Sequence, residues 1–152
     1  MSETKKHDPD VREARPGDAA TKRDRATSTT TRGIRIDVRS EFLPERSSAR
    51  DASYLFQYHV RISNVGSETA QLISREWIIT NADGEVERVK GPGVVGEQPV
   101  LSPGSSFEYT SYCPLKTPVG SMQGSYQMVT GSGERFDAII APFTLAVPNA
   151  LN

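Results

Sequence analysis

An alternation of apolar and polar side chains runs through most of this chain. The longest example extends from Tyr54 to Ile62, where every second residue is aromatic or aliphatic and the residues between include Gln57, His59 and Arg61. A period of two places neighbouring side chains on opposite faces of a strand, so this run predicts a β-strand with one buried and one solvent-facing side. No stretch of the sequence shows the period of a helix.

Similar alternation predicts further strands, separated by loops rich in Gly, Pro, Asn and Ser. They cover residues 34–39, 72–80, 85–89, 107–111, 122–130 and 136–147. About seven short antiparallel strands without helices are typical of a sandwich or barrel, and we predict an all-β, two-sheet sandwich of the immunoglobulin or fibronectin type III kind. Trp77 and Tyr126 fall where such sandwiches place a core tryptophan and a corner tyrosine. Pro142, inside the last strand, predicts a bulge or an edge position.

The first 32 residues differ from the rest because they contain almost no large apolar side chains. Such a segment cannot bury enough surface to offset the entropy of ordering it, so we predict a disordered N-terminal tail over residues 1–32. The β-sandwich domain is predicted over residues 33–148, with a short C-terminal tail at 149–152.

The net charge of −1 gives no basic field that would attract nucleic acid or an anionic membrane, and we expect neither as a partner. The single cysteine excludes an internal disulfide and a multi-cysteine metal site. No apolar run approaches the ~20 residues needed to cross a bilayer. The N-terminus lacks the apolar segment of a secretory signal, so we expect a cytoplasmic protein.

The loop over residues 91–99 is the main candidate for ligand binding. Its Gly91, Gly93 and Gly96 match the spacing G-x-G-x-x-G. A dinucleotide site needs this motif between a buried parallel strand and a helix whose N-terminal amides hold the pyrophosphate. Here a charged strand precedes the glycines, and Pro99 and Pro103 follow without a helical period. The dinucleotide interpretation therefore fails on its context.

Two other interpretations of the loop stay open. Consecutive backbone amides of a glycine-rich loop can form an anion-binding nest without a helix. Lys90 stands at the entrance of the loop, and Arg88 and Arg75 could supply further positive charge to a phosphate or pyrophosphate. The alternative is that the glycines only form tight turns, with Val94 and Val95 closing the edge of the core.

Few residues suggest catalysis or metal binding. The two histidines are His7, in the predicted tail, and His59, on the polar face of the longest strand. With one cysteine they make no recognisable zinc site. A nucleophile–base pair of Cys113 and His59 is conceivable, but a lone cysteine is more often a small buried apolar residue. We therefore expect a protein without enzymatic activity, cofactor or bound metal.

Several blocks of this sequence, in the same order and spacing, resemble the signature segments of the ApaG family (DUF525). They lie at residues 74–80, 91–99, 103–111, 120–128 and 140–145, and the resemblance extends over about residues 33–148. There are two departures. Glu76 stands where the family usually has a histidine, which removes any role of that imidazole, and Tyr112 stands where a small residue is common.

The resemblance implies a fibronectin type III-like sandwich and a bacterial protein associated with cobalt and magnesium resistance or efflux, by an unsettled mechanism. Similar eukaryotic domains are attached to an F-box protein and to a DNA-polymerase-interacting protein, which favours a protein-binding role. The glycine motif of the family has been proposed to bind pyrophosphate-containing nucleotides, and it corresponds here to Gly91, Gly93 and Gly96.

From the sequence we predict a non-enzymatic β-sandwich interaction module of the ApaG type, whose partner is an unidentified protein. The alternative is a sensor that binds a pyrophosphate-containing nucleotide through the loop Gly91–Gly96. An exposed edge strand would also allow a homodimer.

Overall fold

The computed structural model describes residues 25–150, which form two packed antiparallel β-sheets. One turn of 3₁₀ helix, Pro44–Arg46, interrupts the strands. The nine strands are β1 (Ala26–Thr31), β2 (Ile34–Phe42), β3 (Tyr54–Asn64), β4 (Ala70–Asn81), β5 (Val86–Pro92), β6 (Val100–Leu101), β7 (Ser106–Leu115), β8 (Val119–Thr130) and β9 (Arg135–Ala146).

The first sheet has the strand order β1-β2-β3-β7, and the second has the order β5-β4-β8-β9, with β6 pairing the start of β4. The predicted all-β sandwich of the immunoglobulin or fibronectin type III kind is thereby confirmed. The structure has nine strands in residues 25–150 where the sequence predicted about seven, because β1 and the two-residue β6 were missed.

Side chains from the two inner faces form a single core. Trp77 is only 3% exposed, and its ring lies edge-on to those of Tyr58, Tyr126 and Phe143 at centroid distances of 5.3 to 6.3 Å. Tyr126 is fully buried, and its hydroxyl shares a hydrogen bond with that of Tyr109. Both aromatic residues that the sequence pattern placed in the core therefore lie there, although Tyr126 bonds to a second tyrosine where a corner tyrosine would bond to the backbone.

The predicted boundary between a tail and the domain, after residue 32, is wrong. Residues 26–31 form β1, which pairs with β2 from Ala26 opposite Arg39 to Thr31 opposite Ile34. Threonine-rich segments suit extended backbone, and the ladder supplies backbone hydrogen bonds that need no apolar side chain. The prediction of disorder for residues 1–24 and the last two positions of the predicted C-terminal tail lie outside the described residues.

The two sides of the sandwich are closed to different degrees. On one side β1 lies against β9, where Thr27 Oγ1 donates to the carbonyl of Ala141 at 3.4 Å and the Ile139 amide donates to Thr31 Oγ1 at 3.2 Å. On the other side β5 and β7 are the outermost strands of their sheets, and no backbone ladder in the described part of the chain joins them. We call this second side, between β5 and β7, the open side.

Two β-bulges interrupt the second sheet. Between the pairs Met122–Phe143 and Gly124–Ile140, β9 has one residue more than β8, and Pro142 lies in this bulge on an outermost strand. This agrees with the expectation for a proline in a strand. The other bulge is in β4, where the register against β8 shifts between Leu72 and Ser74. It turns the residues that follow onto the other face, which decides the position of the candidate site.

Candidate functional site

The glycine-rich loop leaves β5 and immediately forms a tight hairpin. The amide of Val94 donates to the carbonyl of Glu97 at 2.9 Å, and the amide of Glu97 donates back at 2.8 Å. The two residues between them, Val95 and Gly96, have φ angles of +40° and +82°. Positive φ at both central positions is the geometry of a type I′ turn, which favours glycine and is strained for a β-branched residue.

The loop is fixed to the core by its apolar residues and by the bulge in β4. Val94 is 1% exposed, and Val95 packs against the same cluster. The carbonyl of the bulged residue Ile73 accepts from the Gly93 amide at 2.9 Å and from Gln98 Nε2 at 2.8 Å. The prediction that the valines close the edge of the core is therefore confirmed.

Close contacts favour glycine at positions 93 and 91. Gly93 has φ +60°, and a Cβ on it would overlap the carbonyl of Glu97. A Cβ on Gly91 would lie 3.0 to 3.1 Å from the terminal nitrogens of Arg75, so the guanidinium occupies the space that a side chain would take. Gly96 is different, since a Cβ added to it would have no atom within 4 Å, and only its φ angle favours glycine.

Arg75 points towards the interior of the sandwich because the bulge at Ile73 shifts the alternation of β4, so that Arg75 and Trp77 face the same way. Its Nη1 donates to the carbonyls of Pro92 at 3.0 Å and Gly93 at 2.8 Å. No carboxylate of residues 25–150 forms an ion pair with it. Arg75 thus holds the loop through backbone carbonyls and brings a positive charge to its inner side.

The other two predicted cations lie on the opposite face of the second sheet. Val89 and Gly91 face inwards, so Arg88 and Lys90 face outwards by the alternation of β5. There Arg88 Nη1 forms an ion pair with Glu76 Oε2 at 3.5 Å, and Lys90 lies opposite Glu76 in the register. Glu76, at the position where a histidine is usual in the family, is therefore part of a surface ion pair.

The structure thus does not bring all six predicted site residues together. Arg75 contacts Gly91 and Gly93 from within, while Arg88 and Lys90 lie outside and Gly96 forms the tip of the turn. The amides of Gly93, Val94 and Glu97 donate to backbone carbonyls. Within residues 25–150, the amides of Val95 and Gly96 have no acceptor. The glycines and most of the backbone amides of the loop therefore have a structural role, and ligand binding by the loop stays a prediction.

Cys113 and His59 do not form a nucleophile–base pair. Cys113 lies opposite Phe56 on the buried face of its sheet, whereas His59 is on the outer face. Burial, with a smaller contribution from the charge of Glu87, raises the pKa of the Cys113 thiol to about 12. His59 instead contacts Glu108, with Nε2 and Oε1 2.8 Å apart. In the described residues no group of three or more His, Cys, Asp or Glu side chains could hold a metal ion.

A cavity of about 370 Å³ lies on the open side, between the ends of β5 and β7. Ile79, Pro114 and Leu115 contribute its apolar lining, and Glu85 and Glu87 contribute carboxylates. Val86, which also lines the cavity, is 56% exposed and adds an apolar side chain at its rim. Sequence reasoning missed this surface because it depends on which strands are outermost.

The architecture and the arrangement of its loops define a fibronectin type III-like β-sandwich domain. Among residues 25–150 there is no helix long and apolar enough to span a membrane. The chain belongs to the ApaG family, since the ApaG domain (DUF525) matches residues 44–130. The resemblance read from the sequence is confirmed.

The relatives cover most of the chain. Protein ApaG of Anaeromyxobacter sp. (strain K) is 57% identical over 126 residues, which are 83% of this chain and 99% of that protein. Protein ApaG of Rhodospirillum centenum is 54% identical over 80% of this chain and 94% of its own length. A crystal structure from Bordetella pertussis superimposes with a TM-score of 0.75 at 49% identity, covering 77% of this chain and 95% of that one.

Proposed function

We propose that this member of the ApaG family is a non-enzymatic interaction module that binds an extended segment of a partner protein on its open side. The observation that carries the proposal is the unequal closure of the sandwich. β1 and β9 are joined by hydrogen bonds of Thr27 and Thr31, but β5 and β7 are not joined, and their outer backbone groups are unpaired by any strand of residues 25–150. An edge strand of this kind can accept one further strand from a partner.

The chemistry of the open side indicates what such a segment would contain. Its apolar lining and the exposed Val86 would take an aliphatic or aromatic side chain. Glu85 and Glu87 have no ion pair with another described residue, and Lys116 is the single cation of the lining. A partner segment with an apolar residue next to Lys or Arg would therefore fit best. We propose that the connection with cobalt and magnesium resistance implied by the ApaG resemblance acts through this partner.

The chain offers a matched pair of positions for the test. Val86 on the open side and Ile139 near the closed side are exposed to similar extents, 56% and 46%. A photo-crosslinking amino acid at position 86 should capture a defined partner in cells, and the same group at position 139 should not. In chains without the crosslinker, Val86→Arg should reduce growth on cobalt, while Ile139→Arg should not. Equal capture at both positions would contradict the proposal.

The second candidate is the nucleotide sensor, which two observations favour. Arg75 brings a charge without an ionic partner in the described chain to the inner side of the loop, and the amides of Val95 and Gly96 are free to donate. An amide chemical-shift titration with ADP, ATP, diadenosine tetraphosphate and pyrophosphate, with and without Mg²⁺ or Co²⁺, tests it. Saturable shifts centred on Gly93, Val95 and Gly96 would support a sensor. A silent loop would leave its glycines as turn-forming residues.

A further inference from the structure

The outer face of the sheet β1-β2-β3-β7 carries two adjoining cavities of about 400 and 440 Å³. Both are lined by Arg35, Asp37 and Arg61, so together they form one continuous depression, which we call the arginine trough. It lies on a different surface from the open side and from the glycine loop. The alternation along the sequence predicts only that these residues lie on the polar faces of two strands.

Arg61 is the central cation of the trough, and most of its hydrogen-bonding capacity is unused. Asp37 and Glu108 lie directly opposite it on the two neighbouring strands. Neither carboxylate is within ion-pair distance. The only partner of the Arg61 side chain is Ser106 Oγ, at 3.4 Å from Nη2, so Nε and Nη1 donate to nothing in residues 25–150.

Arg35 is the diagonal neighbour of Arg61 across β2 and β3, since Arg35 lies opposite Ser63 and Asp37 opposite Arg61. Its Nε is held 3.2 Å from the carboxylate of Asp37 and 3.2 Å from Ser28 Oγ. Both terminal nitrogens are left without a partner in the described chain. Diagonal neighbours across an antiparallel pair are close enough for long side chains to converge on one ligand atom.

Both carboxylates of the trough already form an ion pair or a hydrogen bond within the protein. Asp37 is bound to Arg35 through Nε, and Glu108 is bound to His59 in a pair whose side chains are only 10% and 14% exposed. Ser63 Oγ accepts from Ser106 Oγ at 3.1 Å, which leaves the Ser63 hydroxyl proton available. The unused donors are therefore guanidinium and hydroxyl groups, and an anion would form the strongest hydrogen bonds with them.

We propose that the arginine trough binds the phosphoryl group of a small phosphorylated molecule between Arg35 and Arg61. Donors from two strands and from a serine hydroxyl line the trough, and a phosphoryl group offers them three acceptor oxygens where a carboxylate offers two. The phosphoryl group occupies only part of the trough. The rest of the molecule extends along the neighbouring cavity beside His59 and Glu108.

The test is isothermal titration of the full chain with inorganic pyrophosphate, ADP and succinate, paired with an amide chemical-shift titration. Pyrophosphate and ADP should bind saturably and shift the amides of Ser63, Ser105 and Ser106. Succinate should bind at least about 10-fold more weakly. Arg61→Gln and Arg35→Gln should each weaken pyrophosphate about 10-fold or more.

Arg135→Gln is the matched control, because it removes an exposed arginine from β9 in the other sheet and should leave affinity within about 2-fold. Thermal unfolding of each variant verifies that it is folded. The proposal is overturned if neither phosphate probe binds at about millimolar concentration, if Arg135→Gln weakens binding as much as Arg61→Gln, or if succinate binds as tightly as pyrophosphate. None of these results would change crosslinking at Val86, so the two proposals fail separately.

Discussion

Substituting alanine at Gly93 and at Gly96 separates the two physical reasons for glycine in the loop. Both residues have positive φ, which costs an L-residue about 1–2 kcal/mol. At Gly96 nothing else opposes a Cβ. At Gly93 the Cβ would also overlap the carbonyl oxygen of Glu97, which accepts a hydrogen bond from the amide of Val94. Relief of that overlap requires the hairpin to open.

The additional cost at Gly93 follows from what the hairpin holds. Opening it breaks the two reciprocal hydrogen bonds between Val94 and Glu97, at about 1 kcal/mol each. It also moves Val94, which is 1% exposed, and loss of its burial costs about 1.5–3 kcal/mol. With the strain of positive φ added, Gly93→Ala should lower the free energy of unfolding by about 4.5–7 kcal/mol, and Gly96→Ala by about 1–2 kcal/mol.

Urea unfolding followed by fluorescence measures both values, since Trp77 is the single tryptophan and lies in the core. The two free energies can be compared only if both variants show the same dependence of the free energy on urea concentration. A different slope would indicate a change in the unfolded state, which must not be counted as strain. A difference of less than about 1 kcal/mol between the two variants would refute the reasoning, because it would show that the loop accepts a Cβ at Gly93 by a small movement.

Two further predictions concern buried groups. Because burial raises the pKa of Cys113 to about 12 from an unfolded value near 9, stability should fall as pH rises between these values, by up to about 1.4 kcal/mol per pH unit. Urea midpoints from pH 8 to pH 10 should therefore decline less in Cys113→Ala, and an equal decline would exclude the thiol as the cause. Tyr109→Phe and Tyr126→Phe should each cost about 1–3 kcal/mol, because each leaves one buried hydroxyl without its partner. The double variant should cost less than the sum of the two, and strict additivity in the same unfolding assay would contradict a coupled pair.

Much of this fold could be predicted from the sequence because each sheet has one buried and one wet face. Ile34, Ile36 and Val38 are all buried, whereas Arg35 between them and Arg39 after them are exposed, as the alternation requires. β1 was not predicted because its side chains are mostly threonine and serine and give no apolar alternation, and its backbone ladder holds it in place. Its run of β-branched threonines was the available signal.

The candidate sites were less accessible to sequence reasoning. The inward position of Arg75 depends on the bulge at Ile73, and the only hint of it was that Leu72 and Trp77, both suited to a core, are an odd number of residues apart. The arginine trough depends on strand order, since Arg35 and Arg61 lie in neighbouring strands only because β2 pairs with β3. Periodicity reports the face of a side chain but not its neighbours across the sheet.

β1 has a consequence for how the edges of the two sheets are protected. The unpaired edge of a sheet is a template for other chains, and natural proteins protect such edges with extra segments, charge or proline. Here β1 shields β2 and contacts β9 through threonine hydroxyls, whereas β5 carries Glu87, Arg88 and Lys90 at the other side. One flank of the domain is thus formed by a polar strand, and the strand at the other flank carries charged side chains. β1 is itself the outermost strand of its sheet, so the edge that this flank presents to other chains carries small and polar side chains in place of the apolar residues of β2.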